Sequence, residues 1–228
     1  MPFELVIFDC DGVLIDSEII AIRLEAEELR ALGYGYDEAE IARRFSGIPG
    51  AAMYAMMEAE TGIPIPPEVR RRVSRRMREA IVTELDAVPG VPEALERIDR
   101  PVCVASSSGL DYLRQALGLV GLWPRFHPNV FSAQQVARGK PAPDLFLFAA
   151  ERMGAAPETC LVIEDSAAGV RAGIAAGMQV IGFHGGGHCP PGHGERLIAE
   201  GARLTLSEMR LLPELLRRLQ RQPPPPLM

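Results

Sequence analysis

Two carboxylates, Asp9 and Asp11, leave a short apolar run two residues apart, and Gly12 follows them. In extended chain they would share a face. Gly12 lets the backbone turn there and approach a ligand closely. Such a pair suits group transfer, with one carboxylate as nucleophile and its neighbour handling protons. The plainer reading is a turn whose aspartate caps a helix. Against it, two buried like charges are costly unless a cation or a proton shares the site.

Three further segments carry chemistry of the same kind. Ser106, Ser107 and Ser108 precede Gly109 and a helical pattern. Small hydroxyls and free backbone N–H groups before a helix make a phosphate cradle, although such runs also serve only as caps. Of the 24 basic residues, Lys140 is the only lysine, and it sits in the Pro-rich turn GKPAPD. A site that wants a compact ammonium and not a planar guanidinium explains that choice. Glu164 and Asp165 end another apolar run, VIED. Four acids converging at one place cannot all ionise without a cation. Hard oxygen ligands beside a phosphate point to Mg2+.

The elements that must position these residues are short buried strands. Apolar runs at Phe3–Asp9, Val102–Ser106, Cys160–Glu164 and Gln179–Phe183 read as strands. Helical patterns at Pro92–Ile98, Leu110–Leu117, Pro143–Met153 and Ala167–Ala176 separate them. The alternation predicts an α/β fold, a Rossmann-like three-layer sandwich built on a parallel sheet. In such sheets ligands bind beyond the carboxyl ends of the strands, where Asp9, Ser106 and Glu164 stand. Residues 17–82 break the pattern with four amphipathic helices, Ser17–Leu32, Asp37–Arg44, Ala51–Glu60 and Pro67–Val82. We expect them to form an inserted α-helical bundle cap, with residues 1–16 and 83–220 as a discontinuous core and residues 221–228 as a disordered Pro-rich tail.

Composition excludes other classes. Hydrophobic residues make up 47% and charged residues 24%, a globular balance. A net charge of −6 argues against broad nucleic-acid binding. No apolar run reaches membrane-spanning length, and MPFELVIFD lacks the pattern of a leader. The four cysteines form no dense framework. We therefore expect a cytoplasmic protein, a monomer or weak homodimer, with a small phosphorylated metabolite as partner and neither nucleic acid nor membrane. Weaker signals remain. His184, His188, Cys189 and His193 crowd one Gly-rich loop, but the spacing fits no standard zinc site, and we read a loop at the edge of the core. RRRVSRRMR, Arg70–Arg78, reads as the solvated face of a helix, with steering of anionic substrates as the alternative. Cys10 reads as a small buried filler.

Taken in order, FDCDGVLIDSE, VASSS, GKPAPD and VIEDSAAGVRAGIAAGM resemble the haloacid dehalogenase superfamily over nearly the whole chain. The likeness is to the branch with a helical cap after the first motif, which holds β-phosphoglucomutases, phosphoglycolate phosphatases and 6-phosphogluconate phosphatase-like proteins. The resemblance implies Asp9 as nucleophile and Asp11 as general acid and base. It implies Ser106 and Lys140 as holders of the phosphoryl group, with Ser107 beside them. It implies Mg2+ on Asp9, the Asp11 backbone carbonyl and Asp165, with Glu164 as a further ligand, direct or through water. It also implies that the loop of Ser46, Gly47 and Gly50 reaches from the cap and helps choose the substrate.

Rival chemistries of the superfamily fit less well. Dehalogenases lack the second aspartate, and phosphonate hydrolases of this branch use a cap lysine that residues 17–82 do not contain. A β-phosphoglucomutase-like enzyme would carry arginine at Gly50, lysine and asparagine at Gly109 and Leu110, and histidine at Ala21. These departures favour hydrolysis of a small sugar or sugar-acid phosphate through an aspartyl phosphate. A sugar phosphomutase and a non-catalytic phosphometabolite-binding protein stand as the alternatives.

Overall fold

A computed structural model describes residues 3–45, 48 and 50–221. Six strands form one parallel sheet: β1 (Leu5–Phe8), β2 (Val102–Ser106), β3 (Val130–Ser132), β4 (Cys160–Glu164), β5 (Gln179–Phe183) and β6 (Leu204–Leu206). Their order is β3-β2-β1-β4-β5-β6. The chain winds outward from β1 in one direction, then returns to place β4 on its other side. The crevice beyond the carboxyl ends of β1 and β4 is the ligand site of such sheets.

The inner strands are buried throughout, which explains why they read as unbroken apolar runs. Alternate side chains feed opposite faces. Val6 and Phe8 join one apolar cluster, with Phe126 and Leu212; Leu5 and Ile7 join the other, with Phe146 and Val170. Helices cover both faces, giving three layers. After β1 come α1 (Ser17–Ala31), α2 (Glu38–Phe45), α3 (Gly50–Thr61), α4 (Pro67–Glu84) and α5 (Val91–Glu96). Then follow α6 (Leu110–Leu119), α7 (Trp123–Phe126), α8 (Asp144–Met153), α9 (Ala167–Ala175), α10 (His193–Ala199) and α11 (Leu212–Arg221). Among the described residues no helix is long and apolar enough to cross a membrane.

Helices α1 to α4 have an apolar cluster of their own, centred on Leu29, Tyr34, Ile41, Phe45 and Met57. Four helices thus lie between β1 and α5 where the sequence pattern placed them, and α4 continues to Glu84, past the expected end at 82. The chain enters and leaves the insert side by side. Asp16 N–H donates to Asp86 O at 3.0 Å and Val88 N–H to Leu14 O at 3.0 Å. The arginines of α4 are not simply solvated. Arg72 and Arg76 donate to the buried carboxylate of Glu28 at 2.6 and 3.0 Å, and Arg70 pairs with Glu58 at 3.3 Å. They fasten α4 to α1 and α3, while Arg71, Arg75 and Arg78 of the same segment lie exposed, as a solvated face requires.

Strands β3 and β6 and helices α7, α10 and α11 are absent from the sequence reading. Each of the two strands has three residues at or near a sheet edge, too short for a periodic signal. Residues 222–228 of the expected tail lie outside the described residues, and its first residue, Arg221, ends α11. The four-residue α7 exists because tertiary packing supports it: Phe126 is fully buried and meets Phe8 edge to face at 6.0 Å. Phe126→Ala should therefore lose about 3–5 kcal/mol in urea unfolding. Leu119→Ala, on the exposed side of α6, should lose under ~1 kcal/mol.

Candidate active site

Lys140 organises the site. Its ammonium donates to Asp9 Oδ1 and to Glu164 Oε1, each at 2.7 Å, and lies 4.9 Å over the Phe146 ring. Only 4% of its side chain is exposed. Burial alone would lower its pKa; Asp9 and Glu164 outweigh that and hold it above the ordinary lysine range. Burial raises the Asp9 pKa well above the usual carboxylate value, Lys140 opposes this, and Glu164 and Asp165 add to the rise.

The acids arrive from two neighbouring strands. Asp9 follows β1, and its N–H donates to Ile163 O at 3.0 Å, so pairing with β4 fixes where its side chain leaves. Glu164 closes β4 and Asp165 follows. Ligand atoms of Asp9, Glu164 and Asp165 lie within 4.8 Å of one another, all three buried. An all-oxygen donor set of that charge fits a hard divalent cation. Glu164 is heavily engaged: its Oε2 accepts from Ser166 N–H at 2.7 Å and Ser166 Oγ at 2.9 Å. A Cβ on Gly169 would stand 1.6 Å from Glu164 Oε1, so only glycine lets α9 pass there.

Asp11 is held apart from this group by hydroxyls. Ser17 Oγ and Tyr112 Oη donate to its Oδ1 at 2.6 and 2.8 Å, and Ser108 Oγ donates to Oδ2 at 2.7 Å. Just after Asp11 the chain turns through Gly12, whose φ of 76° suits glycine; a Cβ there would stand 2.1 Å from Asp165 Oδ2. Ser106, at the end of β2, accepts from Ser108 N–H at 3.0 Å. Ser106, Ser107 and Ser108 all face the same cavity as Asp9, Asp11 and Lys140.

That cavity has a volume of about 650 Å³ and is closed from the other side by the helical insert. Phe45, Ile48, Gly50 and Met53 line it, as do Glu18, Ala21, Ile22 and Glu25 along one face of α1. Burial, with Asp11 and Asp165 nearby, raises the Glu18 carboxyl to about 7, and burial beside Glu18 raises that of Glu25 to about 7. Among the described residues the insert lends the cavity no cation. Arg44 is paired with Glu60, and Arg23 with Glu27 and Glu84.

The sequence-derived candidates Asp9, Asp11, Ser106, Ser107, Lys140, Glu164, Asp165 and Gly50 all meet at this cavity. Ser46 and Gly47 lie outside the described residues. Cys10 is fully buried, and burial and its acidic neighbours push its thiol up, as a filler requires. The histidine loop is more than an edge loop: His188 lines the cavity and its Nε2 lies 2.9 Å from Asp165 Oδ2. Sequence reasoning also missed Glu18, Glu25, Tyr112 and Ser166. The spacing of Glu18, Ala21, Ile22 and Glu25 is that of one helical face, but nothing local says that this face meets a cavity.

Fold and site together define an α/β enzyme built around buried carboxylates and one ammonium beneath a helical insert. Residues 3–177 match the haloacid dehalogenase-like hydrolase family, and the chain belongs to it. It is 31% identical over 213 residues to the 6-phosphogluconate phosphatase of Escherichia coli (strain K12), covering 93% of this chain and 94% of that one. The crystal structure of the conserved haloacid dehalogenase-like protein ATU0790 of Agrobacterium tumefaciens str. C58 superposes with a TM-score of 0.92 at 37% identity, over 95% of this chain and 99% of that one. A family hydrolase of Deinococcus radiodurans R1, solved with bound phosphate and sodium, gives 0.84 at 32% identity, over 95% and 96%.

The carboxyl at Glu25 has a consequence for stability. With an unfolded value near 4.5 and a folded value of about 7, the folded chain binds more protons between them. Stability therefore falls as pH rises through that window. At ~1.4 kcal/mol per unit the ceiling is about 3 kcal/mol. Glu25→Gln should remove this slope and stabilise the protein by about 1–3 kcal/mol more at pH 8 than at pH 4.5, read from urea midpoints.

Proposed function

We propose that the protein is a phosphatase that hydrolyses the phosphate monoester of a small neutral sugar or sugar alcohol through an aspartyl phosphate on Asp9. The observation that carries this is the buried ammonium of Lys140 bonded to Asp9, beside the Ser106–Ser108 hydroxyls. The ammonium neutralises phosphoryl oxygens and so lets a carboxylate attack an anion. Asp9 attacks phosphorus, and the bond to the substrate oxygen breaks. Asp11 protonates the departing alkoxide. Asp11 then takes a proton from the water that attacks the aspartyl phosphate, which frees phosphate and restores Asp9. Ser17, the first residue of α1, grips Asp11, so movement of the insert would change how readily Asp11 exchanges its proton. The paired entry and exit strands at Asp16 and Asp86 would serve as the hinge of a cap made of α1 to α4.

Mg2+ is the fitting cofactor. Asp9, Asp165 and the Asp11 backbone carbonyl would hold it, and when bound it supplies positive charge that stabilises the transferring phosphoryl group. Glu164, with both oxygens committed to Lys140 and Ser166, serves chiefly to hold the ammonium in place.

The far end of the cavity supports the choice of leaving group. Glu18 and Glu25, which line it from α1, accept hydrogen bonds and, when ionised, repel anions. Among the described residues the insert offers no cation to a second phosphate or a carboxylate on the substrate, and Arg171 of α9, which also lines the cavity, is paired with Glu200. This disfavours a bisphosphate-handling mutase, and it sets the chain apart from a relative named for 6-phosphogluconate.

Release of phosphate from p-nitrophenyl phosphate with Mg2+ tests the reaction. Asp9→Asn should abolish it by at least about 10³-fold, and retained turnover in that variant would sink the assignment of the nucleophile. Exhaustive chelation should stop turnover, with recovery on adding Mg2+. In a phosphometabolite screen, neutral hexose and hexitol phosphates should exceed 6-phosphogluconate in kcat/KM. Glu25→Gln should narrow that gap by about 10-fold, the worth of one removed charge at roughly 1.4 kcal/mol.

A further inference from the structure

The loop after β5 brings two histidines onto one residue. His188 Nε2 lies 2.9 Å from Asp165 Oδ2, and His193 Nε2 lies 2.6 Å from the Asp165 backbone oxygen. Both imidazoles are buried. The groups around them fix their roles. Arg196 donates to His193 Nδ1 at 3.0 Å, so Nε2 carries the proton that meets the Asp165 carbonyl. Asp165 Oδ1 accepts no hydrogen bond among the described residues. Two glycines make the approach feasible. A Cβ on Gly12 would stand 2.6 Å from His188 Cε1, and one on Gly186 would stand 2.8 Å from His188 Nδ1. The loop itself is anchored: Gly187 N–H donates to Asp16 Oδ1 at 3.1 Å, and Arg196 reaches the Arg43 carbonyl at 3.1 Å.

We propose that His188 and His193 are positioning residues that clamp Asp165 by side chain and backbone, so that its remaining carboxylate oxygen is presented to the divalent cation. Carboxylates that bind metals are commonly oriented by hydrogen bonds of this kind, and losing one such partner weakens metal affinity by about 10–100-fold. The inference rests on the reading of Asp165 as a cation ligand. It differs from the alternative that His188, Cys189 and His193, whose ligand atoms also lie within 4.8 Å of one another, hold a soft metal of their own. In this arrangement His193 already uses both ring nitrogens, and His188 Nε2 lies nearer to Asp165 Oδ2 (2.9 Å) than to Cys189 Sγ (3.5 Å), which favours the clamp.

Mn2+ binding to the metal-free protein, followed by electron paramagnetic resonance, tests it without turnover. The wild-type chain should bind one Mn2+ at the site, with Asp165→Asn losing it. His188→Ala should weaken binding about 10–100-fold. His188→Gln, which keeps an N–H at similar reach, should recover most of that loss. His193→Ala should also weaken binding, with the KM of the phosphate ester moving less than the Mn2+ dependence of kcat. If His188→Ala fails to fold, the glutamine variant decides, and an affinity for Mn2+ reduced by more than about 10-fold in a folded His188→Gln protein overturns the clamp. Unchanged binding in His188→Ala overturns it as well. If the wild-type chain binds no Mn2+, the cation reading of Asp165 itself fails. Stoichiometric zinc in the purified protein, lost in Cys189→Ala, would replace the clamp with the soft-metal site.

Discussion

One buried ammonium between two carboxylates is the contact on which the rest of this structure depends. Lys140 donates to Asp9 and Glu164 from a position almost without solvent. Charges taken out of water are costly, and mutual attraction returns that cost only where geometry is good and the remaining polar atoms are bonded. Here they are: Ser166 covers the second oxygen of Glu164, and the strand ends set the spacing. Removing the lysine would leave like charges on Asp9, Glu164 and Asp165 within a few ångströms. The parallel register of β1 and β4, with Phe8 opposite Ile163, is what brings those acids together.

Around that contact the two halves of the molecule divide the work. The sheet supplies rigid strand ends, each buried on both faces, from which charged groups leave at fixed positions. The four helices after β1 line the cavity from the other side, hold an apolar cluster of their own, and join the sheet through two short segments paired side by side. The chemistry of the two sides is opposite. The sheet side gathers an ammonium and serine hydroxyls suited to a phosphoryl group. The insert offers two carboxylates whose pKa values are raised by burial. Under the proposed function, this charge placement would orient a substrate with its phosphate toward the sheet and its neutral hydroxyls toward α1.

Asp165 shows how a site borrows from elements far along the chain. Its side chain is bounded by Gly12 from the first turn and by His188 from a loop after β5. Small residues at Gly12 and Gly186 are steric requirements of that crowding. The same loop touches Asp16 at the base of the insert and, through Arg196, the end of α2. It is therefore in contact with the insert, the segment where the insert begins and the acidic centre at once.

The sequence alone was enough to mark the inner strands, most helices and nearly all of the acidic centre. Those strands are short, mostly apolar runs because both faces are buried, and a polar residue stands at or just past the carboxyl end of each: Asp9, Ser106, Glu164 and His184. The DxD, serine, lysine and ED segments were legible because buried charge is rare and their chemistry is complementary. What the tertiary structure alone decided lies in contacts between segments with no shared local pattern. Edge strands of three residues and the single turn at Trp123–Phe126 form only because neighbours pair or pack with them. Glu18 and Glu25 look like ordinary exposed helix residues until α1 is laid over the strand ends. His188 and His193 look like a loose Gly-rich loop until β5, two places from β1 in the sheet, carries them to Asp165. Local sequence encodes burial and periodicity, but which surfaces meet is set by the order of strands and the packing of helices upon them.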